Sequence, residues 1–115
     1  MSPQSAGRRF DMNLQGRYFL LLASARKDIE VRVLYPKYRA LGPGDFIRFS
    51  FEQQARLTIV ERVVTYGSFE ELLDSEDPVR IDPDATWEQQ LRNLRQIYGP
   101  EKEALGVLAI QVQLA

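Results

Sequence analysis

The sequence contains neither cysteine nor histidine. Without cysteine there is no disulfide framework and no thiol nucleophile, and the fold needs no oxidising compartment. Without histidine, the usual general base near neutral pH and the commonest zinc ligand are both missing. Any catalysis would rest on carboxylates, lysine, tyrosine or hydroxyls. Long apolar runs are absent too. The densest, "YFLLLASA" from Tyr18 to Ala25, is far shorter than the roughly 18 residues of a membrane span. Polar sequence precedes it, which is not a signal-peptide pattern. A cytoplasmic location is the expectation. No segment repeats and none is of low complexity. The acidic run from Glu70 to Asp84 has no ordered metal-ligand spacing. It reads as a solvated face or linker, and neither a metal nor a cofactor is expected.

What is present suits one globular domain. The chain has 115 residues, 44% hydrophobic and 27% charged, enough to bury a core unaided. The start, "MSPQSAGRR", is small and polar and reads as a loose tail over 1–8, with the domain over 9–115. The net charge of −1 hides an asymmetry. Residues 1–66 hold 11 basic and 6 acidic side chains, whereas 67–115 hold 4 and 10. Such halves either interleave on folding or leave a positive surface that nucleic acid would use.

Periodicity predicts the elements. Phe10, Met12 and Leu14 alternate as a short strand, and Gln15 to Ala25 reads as a buried helix. In "DIEVRVL", 28–34, Ile29, Val31 and Val33 face one way and Asp28, Glu30 and Arg32 the other. A loop with Pro36, Gly42, Pro43 and Gly44 follows. Strands are predicted over 46–51 and 56–66. Ser68 with Glu71, and Thr86 with Gln89, have capping-box spacing ahead of two helices, with a polar linker over 74–85 between them. The second helix runs from Trp87 to Tyr98, with Gly99 and Pro100 ending it. A final strand covers 106–114, with Leu108, Ile110, Val112 and Leu114 inward. About five strands and three helices suit an α+β fold, a small curved sheet or barrel with helices against one side.

Several stretches in order resemble a known family. They are Lys27-x-x-Glu30-x-Arg32, the loop with Lys37 and Arg39, Gly44-Asp45-x-Ile47-x-Phe49, Tyr66-x-Ser68-Phe69-Glu70-Glu71-Leu72-Leu73, Ile97 to Glu103, and Gly106 to Ile110. Together, over about residues 9–114, they resemble the ASCH domain. That likeness implies a PUA-like fold, a small mixed β-barrel of about five or six strands with flanking helices. It also implies RNA or other nucleic-acid binding, in a cleft that Lys27, Glu30 and Arg32 would line. Some small bacterial members are similar to acetylcytidine amidohydrolases, which use a lysine, a threonine three residues on and a distant acid. Lys27 matches the lysine, and Asp82 or Asp84 would supply the acid. Glu30 stands where the threonine would be, which removes the nucleophile. Other members are linked to ribonuclease activity.

The residues themselves carry the same choice. Lys27 suits a phosphate or carbonyl partner or, if buried, a general base. Glu30 and Arg32 place an acceptor beside a forked donor, which suits a base edge, or else form a plain ion pair. Lys37 and Arg39, interleaved with Tyr35 and Tyr38, suit single-stranded nucleic acid. Asp45 reads as a turn carboxylate, and Trp87 and Tyr98 as core. The expected function is RNA binding through Lys27, Glu30, Arg32, Lys37 and Arg39. The rivals are a small hydrolase, with Lys27, Glu30, Asp82 and Asp84 as candidates, and a protein-interaction module that uses the acidic half.

Overall fold

The computed structural model describes residues 7–115. Among these residues five strands form one sheet: β1 (Arg9–Asn13), β2 (Ile29–Val33), β3 (Phe46–Phe51), β4 (Gln54–Tyr66) and β5 (Val107–Leu114). Their order is β1-β3-β4-β5-β2. Only β1 and β3 run parallel; the other neighbours are antiparallel. The helices are α1 (Gly16–Ala23), α2 (Phe69–Ser75), α3 (Pro78–Ile81), α4 (Trp87–Tyr98) and α5 (Pro100–Glu103). The fold is α+β, and the sheet curls into a half-barrel. Its two outermost strands come close enough for Arg32 Nη2, on β2, to donate to the Asn13 carbonyl at the end of β1, 2.6 Å away.

The curl creates two cores. Leu108, Ile110 and Val112 of β5 face inward, where Ile47, Phe49 and Val60 meet Phe19 and Leu22 of α1. Val107 and Ala109 face outward with Ile29, Val31 and Val33 of β2, under Phe69, Leu72 and Leu73 of α2 and Ile81 of α3. Strand β5 is therefore buried on both faces, which explains its unbroken apolar run. Each fully buried aliphatic or aromatic side chain contributes about 1.5–3 kcal/mol by leaving water.

The alternation of β2 is sound, but its charged face is not a solvated one, because that face turns towards the lip of the inner core. The stretch 74–85 is not a bare linker. Asp77 caps α3 by accepting from Val79 N–H, and Pro78 takes the first helical position, where no N–H is needed. Within the same run the Glu76 and Asp82 carboxylates are buried and paired. Strand β4 begins at Gln54 because the two residues Glu52 and Gln53 close a hairpin with β3. Helix α1 stops short of Ala25, which adopts φ +63°. That turn lets the Arg26 and Lys27 N–H groups donate back to the Leu21 carbonyl. Pro100 ends α4 and also opens α5 as its first residue.

Residues 1–6 of the expected tail lie outside the described residues. Arg8 pairs with Asp45 at 3.2 Å. Asp45 Oδ2 also accepts from Gly42 N–H at 2.9 Å, the turn role its position predicts. The charge halves interleave: Arg17 pairs with Asp82, Arg26 with Asp84, Arg62 with Glu76, and Asp28 with Arg80.

Candidate functional site

Four parts of the fold converge on a cavity of about 200 Å³. Strand β2 supplies Glu30, Val31 and Arg32, with Lys27 just before it. The β1–α1 corner supplies Asn13, Gln15 and Tyr18. Helix α4 supplies Gln90, Asn93, Leu94, Ile97 and Tyr98, and the end of α3 adds Ile81 and Asp82. Alternation puts Glu30 and Arg32 on this side of β2, because Ile29, Val31 and Val33 take the helix-facing side. The capping box of Thr86 and Gln89 starts α4 and so sets the angle from which its side chains enter.

Lys27 is 3% exposed. Its ammonium donates to the Ile29 carbonyl at 2.7 Å and the Ile81 carbonyl at 3.1 Å, and it lies 3.1 Å from Glu30 Oε1. A lysine has three hydrogens, and all three are engaged. Its ammonium is thus turned towards protein groups. It ties α3 to β2 and holds Glu30 in place. Glu30 accepts from Arg32 Nε at 2.6 Å through its other oxygen. Burial pushes the Glu30 carboxyl up, but the charges and hydrogen bonds of Lys27 and Arg32 together outweigh it and hold the group below the ordinary carboxylate range. It stays an anion, and each oxygen keeps a lone pair free.

Asp82 receives both Arg17 terminal nitrogens, at 3.1 and 2.5 Å, and the Asp84 N–H at 3.0 Å. Burial opposes its ionisation, and these donors overcome that, so its pKa is lowered. Asp84 is half exposed and pairs with Arg26 outside the cavity. Lys37, on the turn Pro36–Tyr38, and Arg39, just after it, are exposed and also stand outside the cavity. Tyr38 cannot serve as a stacking platform, because its ring is buried in the inner core.

Two lining residues escape a reading based on charge. Tyr98 packs its ring on Phe69 and also borders the cavity beside Arg32. Burial pushes its phenol up to about 12, with Arg32 opposing and Glu30 reinforcing the rise. Gln90 is 3% exposed. Its Nε2 faces the carbonyls of Pro78, Asp82 and Ala85 at 2.9–3.2 Å. Its Oε1 is buried with no partner. A signal existed in the sequence: Gln90 is a polar residue set within the apolar stripe of Trp87, Leu91, Leu94 and Tyr98.

No helix among the described residues is long and apolar enough to cross a membrane. No group of three or more Asp or Glu among them is placed to hold a metal ion.

Comparison with solved structures returns the same architecture. The chain is similar to the hypothetical protein PH0355 in its crystal structure, at 31% identity and TM-score 0.85, covering 93% of this chain and 99% of that one. The solution structure of protein PF0455 from Pyrococcus furiosus matches at 30% identity and TM-score 0.74, covering 92% and 96%. Protein EF3133 from Enterococcus faecalis V583 shares the fold, at 12% identity and TM-score 0.64, covering 98% and 82%. No curated protein matches. The ASCH domain family matches residues 12–114. With that span, and with a curled five-stranded sheet flanked by helices, this chain belongs to the ASCH domain family.

Proposed function

We propose that this ASCH domain binds single-stranded RNA by drawing one unpaired base into the cavity between β2 and α4. The observation that carries the reading is the Glu30–Arg32 pair on the cavity wall, an anionic acceptor beside a planar donor fork. Base edges present donors and acceptors side by side, which such a pair matches. The volume is below the ~300 Å³ of pockets for drug-sized ligands. It therefore suits one ring system and not a length of chain, as in proteins that extrude a single base. Lys37 and Arg39 lie outside and serve the phosphates.

The hydrolase reading is weaker. Among the described residues, no serine, threonine or cysteine lines the cavity. Glu30 occupies the hydroxyl position, and burial pushes the Tyr98 phenol up to about 12, which disfavours its phenolate. Arginines engage Glu76, Asp82, Asp84 and Glu103 of the acidic half, which weakens the interaction-module reading in part.

Fluorescence anisotropy with labelled single-stranded and duplex RNA tests the proposal. Arg32→Lys keeps a cation beside Glu30 but loses the fork. It should weaken single-strand binding by about 1–3 kcal/mol while leaving the circular dichroism spectrum intact. Equal affinity for both RNA forms, or an unaffected variant, would overturn it.

A further inference from the structure

Three polar groups on residues that line the cavity keep capacity that the described protein groups do not use. Arg32 has committed Nε to Glu30 and one Nη2 hydrogen to the Asn13 carbonyl. A guanidinium carries five N–H donors, so the fork still offers donors to the cavity. Glu30 accepts one bond at each oxygen from Lys27 and Arg32. An ionised carboxylate accepts about four, so it remains an acceptor. Gln90 Oε1 accepts nothing and is buried. Its amide cannot be turned around to hide that oxygen, since Nε2 faces three carbonyl oxygens that would repel it. An orphaned buried acceptor is unfavourable unless a ligand donor arrives.

The free groups thus read as one donor fork, an adjacent anionic acceptor, and a second acceptor deeper on α4. We infer that the base taken into this cavity is guanine, held by its Watson–Crick edge. This rests on the RNA-binding reading above and deepens it. Guanine is the one standard base whose edge runs acceptor, donor, donor: O6, N1–H and the 2-amino group. O6 meets the Arg32 fork, N1–H meets Glu30, and the 2-amino group reaches Glu30 and Gln90 Oε1. Cytosine offers one donor and two acceptors and would set its O2 or N3 against an acceptor. Uracil offers a single donor between two carbonyls. Adenine offers its 6-amino group beside an unprotonated N1. Each leaves a buried acceptor unmatched, and a site built for hydrogen bonding rejects analogues that lack the donor. Tyr18, Leu94 and Ile97 supply apolar wall for the faces of the ring.

Substituting Gln90 would also strip the carbonyls that its Nε2 holds, so the test varies the ligand. Five-nucleotide RNAs differing only at the central position are titrated into the intact protein by fluorescence anisotropy. Central guanine should bind tightest. Inosine, which lacks the 2-amino group, should be about tenfold weaker, the scale of one hydrogen bond. Blocking N1–H with 1-methylguanine should weaken binding by a hundredfold or more, since it also clashes. Replacing N7 with carbon in 7-deazaguanine should change nothing, because that edge is unused. Equal binding of all four bases would overturn guanine selection and leave single-strand binding standing. So would a preference for another base, or a loss with 7-deazaguanine. No binding to any of these RNAs would overturn both readings.

Discussion

Lys27 is the residue whose surroundings differ most from what its chemistry alone suggests. Its three hydrogens join α3, the start of β2 and Glu30. Breaking a buried pair by removing one partner leaves an uncompensated charge and costs about 3–5 kcal/mol. Lys27→Met should therefore lower stability by about 3 kcal/mol, seen as a reduced urea midpoint. A change under 1 kcal/mol would mean that Glu30 finds enough support in Arg32 alone. The carboxylates give a pH dependence of definite sign. Glu30, Glu76, Asp82 and Glu103 all have folded pKa values lowered by their partners. The unfolded chain then binds more protons, so this stabilisation is complete above the ordinary values, 4.5 for glutamate and 3.8 for aspartate. It is lost as pH falls through the lower folded values. Urea midpoints should be flat near neutrality and drop below about pH 4.5, less steeply in Glu30→Gln. A midpoint that rises on acidification would contradict the pairing. The charged face of β2 is legible in the alternation of Asp28, Glu30 and Arg32. What alternation leaves out is depth. Only the return of α3 over β2 buries Lys27, and contacts more than fifty residues apart carry no local signature.

At the scale of elements, short pieces are the ones that pattern reading misses. Helix α3 has four residues with only Val79 and Ile81 apolar, and Val79 is 62% exposed. No 3.6-residue period can register in so little chain. The signal that did exist was the capping pair Asp77-Pro78. Helix α4 is the opposite case, twelve residues with a full apolar stripe and a complete capping box. Thr86→Ala should cost about 1 kcal/mol of global stability. It should also weaken RNA binding, since Gln90, Leu94 and Tyr98 reach the cavity from this helix. Stability loss without any change in affinity would show that packing on α2 alone sets the helix's position. The phase of β4 also changes along its length. A register shift between Val60 and Arg62 turns Val63 towards the inner core, while Leu57 and Ile59 stay exposed.

For the whole molecule, the charge halves are the informative feature. Composition left two outcomes open, a basic surface or interleaving, and four ion pairs between the halves decide for interleaving. Of the cations outside ion pairs, the RNA-binding reading puts Lys37 and Arg39 on the phosphate backbone. RNA affinity should accordingly fall only gently with salt, with a log–log slope of about −1.4 for two phosphate contacts by Lys37 and Arg39. A slope steeper than about −4 would instead mean broad backbone contact. The sheet order carries a different consequence, for the growing chain. Strand β2 has a single neighbour, β5, and β5 is also the strand on which both cores close. Of the five strands of this sheet it is the last in sequence. Until residues 107–114 have left the ribosome, the hydrophobic side of β2 has no partner in the sheet, and the wall that carries Glu30 and Arg32 has nothing to stand on. Nascent chains arrested before residue 107 should stay open to protease, and protection should arrive in one step with the final strand.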